Sequence, residues 1–338
     1  MLKKSGTVAL FFGAFLLALA ALSKFYMYDQ VAVVPLNTQS TTIAATAPGD
    51  NAEYLDAAAG LKTVRGPLKS TQLVAGDVKL SEQVSKDLGR DVTVWNDYNC
   101  TDAPGFDCSS GETPLSATND RVAFDVRTGE AVPWKGTRAE ADGKVTSPAG
   151  YEGLFFKFPF DTQKKTYKWW DSTLEKATPA KYVGTGKVKG LEVYKFVQTI
   201  APIKTGTIDV PGSLVGSDEA TVTADRIYSD VRSFSVEPVT GAVLSAVDAQ
   251  DSYLEVNGQR EATLTKASLA LTDATTQKLV DDYGSKVPLL KAVKTWIPIG
   301  GTVLGLLLLI FGIWSKTQTT KPLDHSRLAT RRKETLKV

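Results

Sequence analysis

The chain has 338 residues, enough to bury a substantial core in one large domain or two smaller ones. Its 39 Lys and Arg stand against 37 Asp and Glu, and no basic stripe with interleaved aromatics appears, which argues against a nucleic-acid partner. The one histidine, His325, lies close to the last residue, so the long middle of the chain cannot form a Ser-His-Asp or Cys-His nucleophile or a His-ligated metal site.

The first element follows Lys3 and Lys4. Thr7 to Leu22 reads TVALFFGAFLLALAAL, a run short for a membrane span, and Ala18-Leu19-Ala20 resembles a signal-peptidase site. A cleaved leader is therefore one reading. The other is a retained helix: SKFYMY supplies an interfacial aromatic belt and extends the run to about 20 residues, which matches a hydrocarbon core of about 30 Å. We take residues 7–27 as a transmembrane helix.

Next, Thr38 to Asp50 (TQSTTIAATAPGD) reads as a polar surface passage, and Val92 to Trp95 as a strand. Cys100 and Cys108 are the only cysteines, and in an oxidising compartment they read as one disulfide around a Pro-Gly loop. Zinc is the weaker alternative, because two thiolates without a nearby His make an incomplete site. Asn99-Cys100-Thr101 matches a glycosylation sequon, a short pattern. FDVRTGEAV (Phe124 to Val132) is echoed by VEPVTGAVL (Val236 to Leu244); each places an acid before Thr-Gly and reads as a hairpin turn.

Between these echoes lies the densest aromatic stretch. In LFFKFPF, Leu154, Phe156, Phe158 and Phe160 alternate onto one face and Phe155, Lys157 and Pro159 onto the other. DTQKK reads as a turn, and TYKWW returns with Tyr167 and Trp169 on one side and Trp170 opposite, giving an antiparallel hairpin. Such a cluster is either a core seam or the wall of an apolar ligand site. Phe156, Phe158, Phe160, Tyr167, Trp169 and Trp170 are the candidate lipid-binding residues. Trp169 and Trp170, beside Lys168 and Asp171, are expected to be exposed.

GTGKVKG (Gly184 to Gly190) lacks phosphate-loop spacing. Further strands are predicted at Leu191 to Ile200, Arg226 to Val236 and Ser252 to Leu264, and a helix at Thr272 to Tyr283, on which the neighbours Asp281 and Asp282 diverge. A Ser-Lys dyad or a carboxylate pair stays open, but no catalytic residue, cofactor or metal is indicated. Trp296 to Trp314 (WIPIGGTVLGLLLLIFGIW) is an uncharged run of nineteen residues with a Trp at each end. It reads as a second transmembrane helix, residues 295–314, and a basic tail follows over 315–338. By the positive-inside rule residues 1–6 and the tail are cytoplasmic, and residues 28–294 form one extracytoplasmic domain. The expected fold is a mainly β ectodomain, antiparallel and curved or barrel-like with few helices, between terminal membrane helices.

RVAFDVRTGEAV, GLFFKFPFDTQKKTYKWWD and GLEVYKFVQTI closely resemble an actinobacterial envelope family of unknown function, often labelled porin PorA-like, and the similarity spans nearly the whole chain. The resemblance implies a periplasmic accessory of lipid traffic in mycolic-acid bacteria, at the inner membrane. Its partners would be a long-chain envelope lipid, trehalose monomycolate among them, and an inner-membrane lipid exporter or envelope assembly proteins. Its label fits poorly, because a porin crosses with lipid-facing strands and has no helical anchors. By architecture alone the two-helix topology is also similar to the class B scavenger receptors. A scaffold for envelope assembly or polar growth that binds no lipid is the alternative, and an envelope lipid- or glycan-modifying enzyme a third.

Overall fold

The computed structural model describes residues 2–57, 59–141 and 143–318; the tail beyond 318, with His325, and the side chains of Lys3 and Lys4 lie outside the described residues. The chain divides into two compact units, Met1–Val31 with Leu289–Val338, and Ala32–Pro288. Its α-helices are α1 (Leu2–Leu22), α2 (Tyr28–Val31), α3 (Val78–Leu88), α4 (Asp273–Gly284), α5 (Val287–Lys291) and α6 (Ile297–Thr317). The strands are β1 (Gln39–Ala45), β2 (Ala52–Asp56), β3 (Lys62–Gly66), β4 (Lys69–Gly76), β5 (Val92–Asp102), β6 (Ser116–Asp125), β7 (Ala139–Ala141), β8 (Lys144–Thr146), β9 (Tyr167–Asp171), β10 (Lys176–Val188), β11 (Leu191–Pro211), β12 (Thr221–Val236), β13 (Val243–Val256) and β14 (Gln259–Leu271).

In the first unit both apolar runs are helices long and apolar enough to cross a membrane. Gly6, Gly13 and Ala20 recur every seven residues on α1 and meet Gly312, Gly305 and Gly301 of an antiparallel α6. A Cβ on Gly13 would stand 2.8 Å from the Gly305 carbonyl oxygen, and one on Gly312 2.9 Å from that of Gly6. Small residues let the backbones approach where lipid supplies no hydrophobic drive between helices. Beyond α1, the Ser23 hydroxyl donates to the Val293 carbonyl at 2.7 Å.

The second unit is built on one 14-stranded, mostly antiparallel sheet, ordered β8-β7-β6-β5-β4-β1-β14-β13-β12-β11-β10-β9, with β2 and β3 branching from β14. It curls until its flanks meet: single bridges join Phe124 to Ala131, Glu130 to Leu154, and Leu154 to Trp169. The outer face is partly covered by helices. On one flank α3 packs Val84 against Val92, Val94 and Ala123, and on the other α4 packs Leu279 and Val280 against Val193 and Leu244. Asp77 caps α3, accepting from the Leu80 amide at 3.0 Å, and Gly89 ends it in the left-handed region.

Several expectations hold. Cys100 and Cys108 are bonded, and α4 begins after its Thr272 cap, one residue from the predicted start. Others need correction. Residues 39–45 are not a surface passage but β1, in the middle of the sheet between β4 and β14. The strand predicted at Ser252 to Leu264 is two strands joined at Asn257-Gly258, both with positive φ, as a two-residue hairpin turn requires. Helix α3 was not anticipated.

The disulfide closes a span of eight residues at the end of β5. The chain-entropy relation gives about 2.5 kcal/mol for such a loop. Replacing both cysteines by serine should lower the unfolding free energy by about that much, with the far-UV spectrum unchanged. Unfolding of the double variant in urea at the wild-type midpoint would show the loop to be held by other contacts.

Candidate functional site

The predicted hairpin does not form. Residues 154–160 adopt no regular strand, and β9 pairs with β10 instead. What this segment does instead is thread between the two Thr-Gly turns. The amides of Phe158, Asp161 and Thr162 donate to Gly241, Val239 and Pro238 carbonyls at 2.9, 3.1 and 2.7 Å, and the Phe160 amide donates to Arg127 at 3.2 Å. The turns are built alike. Asp125 accepts from the Thr128 amide and hydroxyl, and Glu237 from those of Thr240. Gly129 and Gly241 both have φ of 73°, and a Cβ on either would strike the carbonyl of Lys157 or Phe158.

Suspended between two walls, the segment sends alternate aromatics to opposite flanks. Phe158 joins Leu154, Tyr167, Trp169, Phe196 and Phe234, with ring centroids 4.5 Å from Phe196 and 5.2 Å from Trp169. Phe156 and Phe160 go the other way, to Trp95, Phe124 and Val126, with Phe156 4.9 Å from Trp95. Trp170 packs on Tyr151 at 5.1 Å. Trp169 and Trp170, expected to be exposed, are 7% and 6% exposed. They are buried because Tyr151 and Ala177 cover one and Phe158 and Phe234 the other. Tyr167 is also buried, its hydroxyl accepting from the Gln163 amide at 2.8 Å. The six candidates therefore fall in three neighbouring clusters filling the inside of the curl, and each is in contact with other rings or apolar side chains.

Lys157 sits inside this plug. Its Nζ lies 3.7 Å from the centre of the Phe160 ring and is buried without a hydrogen-bond partner among the described residues. Burial pushes its pKa down to about 7, against the opposing pull of Asp125.

Next to the plug the inner face is polar. On the β4–β6 flank Thr42 donates to Gln72 at 3.1 Å, Gln72 donates to Asp97 at 2.9 Å, and Tyr151 donates to Asp120 at 2.8 Å. Asp97 and Asp120 face each other across β5 and β6. Burial raises Asp97 to about 7 and Asp120 to about 6, although each accepts one of these hydrogen bonds. Asn99, the sequon residue, also turns inward and accepts from Ser70 at 2.7 Å.

The opposite flank centres on Arg232. Its Nε donates to Asp248 at 2.7 Å, and Nη2 stands 3.2 Å from Asp230 and 3.8 Å from Asp171. Tyr228 donates to Asp171 at 2.9 Å, and Gln198 donates to the Trp169 carbonyl at 2.9 Å. Burial first, then the charge of Asp248, pushes Asp230 well above the usual carboxylate range. Sequence reading missed this layer. Its one signal was parity: Asp230 and Arg232 alternate with Tyr228 and Phe234, as inward residues of one strand must. Among the described residues no three His, Cys, Asp or Glu side chains are grouped to hold a metal ion.

The layer can hydrogen-bond a hydroxyl-rich group, since it offers amide, guanidinium and carboxyl functions side by side. The outer face of β10–β13 instead carries Lys181, Lys195, Ser233, Ser235 and Ser245, which suits water rather than the hydrocarbon that a membrane-crossing strand must face.

Comparison with known proteins gives consistent results. A family model described as Porin PorA matches residues 5–314. A Porin PorA of Corynebacterium resistens is 24% identical over 286 residues, covering 74% of this chain and 66% of that protein. One from Corynebacterium amycolatum is 23% identical over 243 residues, covering 59% of this chain and 62% of its own length. The chain thus spans somewhat less than two thirds of these relatives. The family match takes in both apolar helices, the curled sheet and the aromatic plug between its turns. The chain belongs to the Porin PorA family.

Proposed function

We propose that this protein is a two-pass inner-membrane protein, with both termini cytoplasmic and Ala32–Pro288 in the periplasm, that serves envelope lipid traffic beside an exporter. Its ligand would be a long-chain glycolipid of the trehalose monomycolate kind. The observation that carries this reading is the polar layer directly against an aromatic plug, because an amphiphile needs a polar seat next to an apolar one. In this reading the polar head is held near Arg232, Asp248 and Gln250, which lies opposite Asp230 in the register of β12 and β13, while the rings of Phe158 and Trp169 form the floor. Corynebacterial relatives and a helical anchor support an envelope setting.

The reading is tested by extracting lipid from the purified full chain and identifying it by mass spectrometry. Gln250→Ala, a change in a half-buried side chain, should lower the bound glycolipid roughly five-fold, the loss expected of one hydrogen bond worth about 1 kcal/mol, at unchanged melting temperature. One observation favours a scaffold that binds no lipid: every candidate aromatic is already packed against others. Wild-type protein free of glycolipid would decide for the scaffold.

A further inference from the structure

The sheet face opposite the plug is only partly covered. Lys181 of β10 and Lys195 of β11 point out from it, both exposed, and neither has an ion pair among the described residues. Their chain neighbours fix this direction: Ala180 and Phe196 are buried in the plug. Across β11–β13 the face continues with small and β-branched residues, Val197, Ser233 and Val247 in one row and Lys195, Ser235 and Ser245 in the next. No acid stands in these rows. Where an acid first appears, at Asp251, Arg260 already holds it at 2.9 Å. Val183, Val231 and Val247 are 59%, 44% and 37% exposed, so the cations are interleaved with accessible apolar side chains.

Chain connection adds a second argument. Helix α4 packs on this same outer face through Leu279 and Val280, and its last residue, Gly284, lies beside Leu191. From Gly284 the chain passes through only α5 and one further turn before the apolar run of α6 begins at Ile297. A bilayer is thus permanently tethered within a short chain length of the uncovered lysines.

We propose that the outer face of β10–β12 docks on the surface of an anionic phospholipid bilayer, with Lys181 and Lys195 against the headgroups and Val183 entering the interface. Lysine stems and valines are suited to that depth, since the aliphatic carbons bury while the ammonium stays among phosphates. This goes beyond the lipid-handling reading and does not depend on it.

The test uses the full chain in nanodiscs, with both native cysteines in their disulfide and a fluorophore on a single Val183→Cys. Quenching by nitroxide-headgroup lipid is compared between phosphatidylcholine discs and discs containing phosphatidylglycerol. Quenching should rise in the anionic discs, and fall back in about 1 M salt, where the screening length is about 3 Å. The Lys181→Ser, Lys195→Ser double variant should remove the rise, at roughly five-fold in the docking equilibrium per lysine. A label at Leu73→Cys, exposed on β4, should not respond. Equal quenching at Val183 in the two lipids, or an equal rise at Leu73, would overturn the proposal. So would a rise that the double variant leaves intact.

Discussion

Phe158→Ala should lower the unfolding free energy by about 4 kcal/mol, the usual loss for an aromatic removed from a packed core. In a unit of this size that is roughly 10 °C in melting temperature. The side chain is fully buried and touches rings from β9, β11 and β12, so neighbouring strands cannot close over the gap without leaving their register. Phe158 also lies in the segment that holds the two Thr-Gly turns together, and its loss should raise amide exchange at Gly241 and Val239 before the rest of the sheet. Differential scanning fluorimetry and hydrogen exchange would measure both. A variant that melts within about 2 °C of wild type, under 1 kcal/mol at this size, would show that the plug is loosely filled.

Stability should pass through a minimum near neutral pH. Burial raises Asp97 from 3.8 to about 7. Below about pH 4 its carboxyl is protonated whether the chain is folded or not and contributes nothing to the pH dependence. Between about 4 and 7 the unfolded chain ionises while the folded one keeps its proton, so stability falls by up to about 4 kcal/mol, at about 1.36 kcal/mol per pKa unit. Asp120, raised to about 6, adds in the same direction. Lys157 acts with the opposite sign in a higher window. Its amine loses its proton near 7 in the fold but near 10.5 when unfolded, so the penalty of burying it is full below 7 and fades between 7 and 10.5. Asp97→Asn keeps an oxygen for the Gln72 amide and removes the ionisation. It should match wild type near pH 4 and exceed it by several kcal/mol near pH 7.5. Equal stability near pH 7.5 would mean that Asp97 is solvated in the native state.

The parts legible in the sequence were those in which one physical signal acted alone. Uninterrupted apolar runs identified α1 and α6, and a Thr-Asp start with a stop before Gly284 identified α4. Elsewhere two signals interfered. In β1, Thr42 faces the polar layer and bonds Gln72, so both faces of the strand are polar and no alternation shows. The alternation of Leu154 to Phe160 was real but did not mark a sheet face: two walls, not one, receive the side chains. The Asn-Gly pair at 257–258 is a turn signal that lies inside the predicted strand, between two β-rich runs. Asp97, Asp230 and Arg232 were not singled out in the sequence, because strand parity alone does not say which face of a strand points inward. The interior polarity depends on strands far apart in sequence.

The position of β1 has a consequence for biogenesis. The first strand of the sheet lies between β4 and the last strand, β14, with Ala44 opposite Leu271 and Ala45 opposite Ala270. As the polypeptide emerges, β1 finds β4 early but its other edge waits until more than two hundred residues later have been made. Until then the nascent sheet carries an unprotected edge, an open template for mispairing. Helix α1 waits longer still, since its glycine partners are in α6. The chain therefore cannot mature piecewise from its N-terminus. A chain arrested anywhere before β14 should be a client for chaperones and proteases rather than a smaller folded protein.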